Sequence, residues 1–201
     1  MKPQNCITIF NQSISDYHVN DNVNTIIKNP FETDTVEYLM YLKNWVDTVQ
    51  WHYEDIIRDP NIDPVAGMEL KRKIDKSNQH RTDLVEKIDD FYITLFKEVT
   101  PENEALINTE SPAWVIDRLS ILCLKIYHMQ EQVDRVDVDE KHKKQCTQKL
   151  LILQEQELDL TNSFNQLLQD FEEGKKKIKV YRQMKMYNDD DLNPVLYRKS
   201  K

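Results

Sequence analysis

The sequence predicts an all-α protein: an antiparallel bundle of four long helices, a short N-terminal helix, and a basic, turn-ending C-terminal extension. Three observations carry this. The 201 residues include only 2 glycines, where an average soluble chain would hold about 14. Tight hairpins and phosphate-cradling loops need glycine at positive φ, so a β-sandwich, a dinucleotide-binding fold and a P-loop are excluded. Long segments repeat apolar residues at helical spacing. Their starts carry capping residues followed by proline, as at Asp63-Pro64 and Ser111-Pro112.

The elements follow in order. Asn5 to His18 reads as an amphipathic helix with Ile7, Phe10, Ile14 and Tyr17 on one face. A turn-rich connector, Val19 to Asp34, leads to a second helix capped by Asp34, with Glu37 completing an acidic capping box. Its apolar stripe is Leu39, Leu42, Val46, Val49, Tyr53 and Ile56. A flanking stripe runs Tyr38, Tyr41, Trp45, Thr48, His52, Asp55 and Asp59. The third helix runs from Pro64 to about Phe96. It includes Asp75 to Asp83, nine residues without an apolar side chain, because Ile74 before them and Val85, Ile88, Tyr92 and Leu95 after them keep helical phase. The fourth opens at Ser111-Pro112 and carries apolar residues on two stripes, Val115-Leu119-Leu122-Ile126-Met129-Val133 and Trp114-Ile121-Leu124, marking it as the most buried helix. The fifth starts near Asp139 with a heptad seam: Cys146, Leu150, Leu153, Glu157, Leu160, Phe164, Leu167, Phe171, Gly174, Ile178. One domain is expected, with residues 1–33 as N-terminal helix and connector, 34–173 as bundle core and 174–201 as extension.

Charge and composition narrow the function classes. Lys and Arg number 27 against 35 Asp and Glu, a net charge of −8, which argues against nucleic acid as partner. No apolar run is long enough to span a membrane, and no signal-peptide pattern opens the chain. Cys6, Cys123 and Cys146 have neither disulfide-framework nor zinc-ligand spacing, so reduced core thiols and a cytoplasmic location are expected. The expected partner is another protein or a small-molecule anion, and the chain is a monomer or a homodimer.

Polar residues on core seams are the functional signal. The candidate cluster is His52, Asp55, Asn78, Arg81, Asp117, His128 and Glu157. Asp117 and Glu157 are equidistant in sequence from Asp137, so a hairpin turning there would set two carboxylates in one layer. Two buried carboxylates need a cation, a metal or a shared proton. No motif implies a cofactor, and no metal site is predicted; Asp117 and Glu157 are the weak candidates. The anion-binding candidates are Arg81, Lys125, Lys175, Lys176, Lys177 and Arg182, with Tyr181 and Tyr187 interleaved in the basic stretch. Two acidic pairs, Asp34-x-x-Glu37 and Glu86-x-x-Asp89, faintly resemble those of all-α nucleoside triphosphate pyrophosphatases. The sequence argues against a di-iron bundle, because no Glu precedes a His by three. Two readings stand side by side: a buried charge network that fixes register, or a ligand pocket inside the bundle.

Four stretches in order, YLKNWVDTVQWHYEDIIRDPNIDP, LKRKIDKSNQHRTDLVEKID, NTESPAWVIDRLSILCLKIYHM and VYRQMKMYNDDDLNPVLY, resemble an uncharacterised bacterial family catalogued as domain of unknown function four-two-five-four. The resemblance covers nearly the whole chain. It implies a bacterial, cytoplasmic, stand-alone protein near envelope-glycan assembly. The family has no established activity, so no catalytic residue carries over. The first expectation is a binding or accessory protein serving envelope-glycan assembly; the alternative is a small-molecule enzyme with a polar intra-bundle pocket, phosphate- or metal-dependent and hydrolase-like.

Overall fold

Helix-forming sequence meets its expected end signals along most of the chain. A computed structural model describes residues 1–186 and 189–198. It holds α1 (Pro3–His18), α2 (Val36–Ile56), α3 (Pro64–Leu95), α4 (Pro112–Asp134), α5 (Glu140–Glu172) and a short α6 (Pro194–Tyr197), with two two-residue strands, β1 (Leu106–Ile107) and β2 (Lys176–Lys177), paired in parallel. The protein is an all-α helical bundle. The polar stretch Asp75 to Asp83 lies inside the unbroken α3. Tyr187 lies outside the described residues.

The caps explain the boundaries, with two corrections. Asp63 accepts from the Val65 and Ala66 amides, and Asp139 from that of His142. The cap of α2 is Thr35, not Asp34: its side chain accepts from the Tyr38 amide. Ser111 makes no side-chain cap of its own helix. It donates to Asp89 Oδ2 at 2.7 Å, and Asp89 Oδ1 accepts from the Ala113 amide at 3.1 Å. A carboxylate from α3 therefore caps α4 across the interface and is favoured by the helix dipole.

Register comes from paired side chains. Gln50 bonds Asn78 and, three residues back on α2, Asp47 bonds Arg81 three residues forward on α3, so these helices run antiparallel. α4 touches α1, α2, α3 and α5. α1 is not an appendage before the core: Cys6, Phe10, Ser13, Ile14 and Tyr17 are buried, and the helix packs on α2, α4 and α5.

Two expected faces are corrected. On α2, Leu39, Leu42, Val46, Val49 and Tyr53 are only half-buried and Ile56 is exposed, while Met40, Tyr41, Lys43, Asn44, Trp45, Asp47 and Thr48 are buried. The polar stripe faces inward because α3 and α4 bring its counter-charges. On α5 the seam ends at Glu172 rather than continuing through Gly174. Gly174 has φ +73, and a Cβ there would lie 2.9 Å from the Thr100 carbonyl oxygen. Only glycine fits this left-handed turn, which reverses the chain toward β2. The extension then straps α3: Arg182 pairs with Glu86 and Asp90, and Lys185 Nζ donates to Thr82 Oγ1 at 2.7 Å.

The α5 seam also loosens in its middle. Leu150 and Phe164 are buried, but Leu153, Glu157 and Leu160 between them are half-buried. A cleft of about 690 Å³ and a groove of about 910 Å³ flank this stretch.

Candidate metal centre

The structure sorts the predicted polar residues into two groups. The first is a closed charge network. Lys43, with no exposed side-chain surface, bonds Asp47 and also Asp117 Oδ1 at 2.6 Å. Arg81 donates from Nε to Asp47 Oδ1 at 2.5 Å and from Nη2 to Asp117 Oδ1 at 3.0 Å. Ser120 Oγ donates to Asp47 Oδ2 at 2.6 Å and accepts from Asn44 Nδ2 at 3.0 Å. Two cations face two carboxylates, so the group is neutral, and both Asp47 oxygens and Asp117 Oδ1 have donors. Burial alone would raise the Asp117 carboxyl, but Lys43 and Arg81 outweigh it and hold it below its ordinary value. Arg81 is thereby committed to Asp47 and Asp117.

The second group was only half visible in the sequence. His52 and His128 come together, as their stripes allowed, but around His18, the last residue of α1. The three ring centroids lie 5.4, 5.3 and 5.5 Å apart, a near-equilateral triangle. One ligand atom from each imidazole lies within 4.8 Å of the others. Each ring is held by an aromatic neighbour: Tyr17 stacks on His52 at 5.1 Å, Trp51 on His128 at 4.8 Å, and Tyr127 lies 4.3 Å from His18.

The hydrogen bonds decide which nitrogens are available. His18 Nδ1 lies 2.7 Å from the Ile14 carbonyl oxygen and must donate to it, leaving a lone pair on Nε2. His128 Nδ1 lies 2.7 Å from Glu131 Oε2 and donates likewise. His128 Nε2 is buried and has no hydrogen-bond partner. His52 Nε2 lies 3.3 Å from His18 Nε2 and 3.6 Å from Asp21 Oδ1. Two nitrogens bound to one tetrahedral zinc ion would lie about 3.3 Å apart. A carbonyl or carboxylate on the far nitrogen is the arrangement that orients metal-binding imidazoles. Burial pushes the His52 imidazole below its ordinary value, with His128 and His18 adding to the effect against Asp21 and Asp55, so it stays in the neutral, ligating form. Asp21 has φ 42 and its amide bonds the Tyr17 carbonyl oxygen at 3.1 Å. That left-handed turn, which Asp tolerates, ends α1 and sets the carboxylate at the rim.

The triad opens onto the 690 Å³ cleft, whose walls include Asp55, Lys125, Met129, Glu131, Lys149, Ile152 and Leu153. The remaining predicted residues lie elsewhere. Glu157 does not bond Asp117; its Oε1 lies 3.7 Å from the Cys123 thiol. Asn78 Oδ1 accepts from Gln50 Nε2 at 2.7 Å. Lys175 pairs with Glu173, Lys176 with Asp170 at 3.0 Å, and Arg182 with Glu86 and Asp90, while Lys177 is exposed on β2. Asp89 caps α4 and Glu86 holds the strap, so both acids of the second acidic pair have structural partners. His18 carried a readable signal, four residues after Ile14 on the predicted core face. Lys43 and Asp47 carried one too, as an i,i+4 pair between Tyr41 and Thr48.

An all-α bundle with a cleft floored by three histidines is thus defined by the fold and site. The family described as "Protein of unknown function (DUF4254)" matches residues 37–180. The chain belongs to this family. His52 and His128 lie inside the matched span, and His18 and Asp21 precede it. No curated protein and no solved structure matches the chain.

Proposed function

We propose that the protein is a metal-dependent small-molecule enzyme of hydrolase type. The observation that supports this reading is the convergence of three imidazoles, two of them fixed as Nε2 lone-pair donors, at the floor of an open cleft. Three protein nitrogens and one open position are the ligand set of catalytic rather than structural zinc. A bound dication would lower the pKa of a coordinated water to about 7. The Asp21 carboxylate at the rim is the group placed to take the proton of that water. With a metal bound, Asp21 would return that proton to the leaving group as the substrate's scissile bond breaks and the water oxygen takes its place.

The test begins with chelator-stripped protein titrated with cobalt(II). One ion per chain with intense visible bands is the expected result, and His18→Ala, His52→Ala and His128→Ala each weaken binding at least ~10-fold. His80→Ala and His142→Ala leave it unchanged. Equal binding by the triad variants and the unmutated protein sinks the reading. Metal binding without metal-dependent turnover of p-nitrophenyl acetate or p-nitrophenyl phosphate sinks its hydrolytic part. A second reading, a binding or accessory protein, has support in the outward side of α5, where Leu151 and Leu158 are 60% and 61% exposed. Light scattering that shows only monomers at high concentration, with no change on Leu151→Lys, removes the self-association form of that reading.

A further inference from the structure

The charges that line the cleft point to the substrate class. Asp21, Asp55 and Glu131 face Lys125 and Lys149, so the metal-free cleft has one negative charge in excess. A dication on neutral imidazoles reverses the balance to one positive charge. Lys125 lies one turn before His128 on α4, and Lys149 stands across the cleft on α5; both are exposed. Neither lysine has an ion pair among the described residues, whereas Asp21 faces His52 and Glu131 bonds His128. The two free ammonium groups therefore line the same cleft as the triad, from two helices. Beyond them the wall is apolar, with Met129, Ile152 and Leu153.

We infer that the cleft takes a small phosphomonoester, its phosphate bridging the bound metal and the Lys125 and Lys149 ammonium groups and its body lying on Met129, Ile152 and Leu153. The inference rests on the metal reading above and adds a sign: anion binding is switched on by the metal. A phosphate dianion has oxygens enough for three cationic partners, and lysine serves as a point-charge phosphate binder. The apolar wall gives no grip to inorganic phosphate, so an organic body adds affinity.

Phosphate and phenyl phosphate are titrated calorimetrically into chelator-stripped and cobalt-loaded protein, with phenylacetate as the carboxylate arm. Phosphate is expected to bind the loaded form at least ~10-fold more tightly than the stripped form. Phenyl phosphate should bind several-fold more tightly than phosphate, and phenylacetate more weakly than phenyl phosphate. The K125M/K149M double variant should bind cobalt as the unmutated chain does and lose at least ~10-fold in phosphate affinity. Both side chains are exposed, so the variant folds. Failure to bind cobalt overturns the metal reading itself. Normal cobalt binding with equal phosphate affinity in the double variant overturns this inference alone, as does tighter binding of phenylacetate than of phenyl phosphate.

Discussion

Two polar groups are built into this bundle, and they differ in whether their charged and ligating groups find partners. The Lys43–Asp47–Arg81–Asp117 network draws on α2, α3 and α4 and pairs its charges within itself, with Ser120 donating to Asp47 and accepting from Asn44. The His18–His52–His128 cluster draws on α1, α2 and α4 and does not close: His18 Nε2 and His52 Nε2 share one hydrogen bond at 3.3 Å, and His128 Nε2 has no partner. Buried polar residues as such therefore do not mark a site. A satisfied set fixes register, whereas a set lacking one central partner is shaped for something the chain does not supply.

The largest effect should come from breaking the closed group. Lys43→Met leaves Asp47 and Asp117 sharing Arg81 alone, and loss of one partner from a buried pair costs about 3–5 kcal/mol. Urea unfolding measures this, and a loss under ~1 kcal/mol would mean that the network contributes packing only. The same network sets an acid limit. Asp117 has a depressed carboxyl in the fold, so the unfolded chain binds more protons as pH drops. Its contribution is present above the ordinary carboxylate value and is lost as pH falls through the folded value.

The open group should show the opposite pattern. His128→Ala gives up the stack on Trp51 and the bond to Glu131 but no buried ion pair, so the metal-free protein should lose less stability than Lys43→Met does. Zinc at one hundred times its dissociation constant should stabilise the unmutated protein by about 2.7 kcal/mol and His128→Ala by far less. The zinc effect should weaken as pH falls, because protons compete with the metal for its ligand nitrogens. Thermal unfolding with and without zinc reads both, and a stabilisation that survives in His128→Ala would place the ion elsewhere.

Asp89 sits between these extremes. It is buried and satisfied, yet serves one helix end. Asp89→Ala strips the acceptor from the Ser111 hydroxyl and the Ala113 amide and should cost about 1–2 kcal/mol. A second change, Ser111→Asp, offers the amide a local cap and should recover part of that loss. No recovery would mean that the α3–α4 contact, rather than the cap, carries the energy.

How much of this was legible in the sequence follows from how far apart the determinants lie. Caps and helix phase are local, so Asp63, Asp139 and the unbroken α3 could be read directly. The inward face of α2 could not, because Lys43 and Asp47 are buried only where Arg81 and Asp117 meet them from α3 and α4. Arg81 and Asp117 could be flagged as polar seam residues, and His52 and His128 as two of three triad members. His18 is harder to read, because it is the last residue of α1 and carries no neighbouring polar stripe. The Asp117–Glu157 layer failed for a geometric reason: Cys123 and Glu157, which do meet, are equidistant from Glu140 rather than from Asp137. A shift of the hairpin centre by three residues moves Asp117 almost two turns from Glu157.

Glu157 supplies the smallest test, since it belongs to neither group. Burial raises its carboxyl above the ordinary value, with only the Cys123 thiol opposing. The fold then holds its proton to higher pH than the unfolded chain does, so stability falls as pH rises through that window, and the cost persists at neutral pH. Glu157→Gln keeps an acceptor for Cys123 and removes the charge. The side chain is half exposed, so solvent screens most of the effect. The expected result is a melting temperature higher by no more than about 2 °C at pH 7 and unchanged near pH 4. A lower melting temperature at pH 7 would show that Glu157 has a cationic partner after all, and would return it to the network from which its geometry separates it.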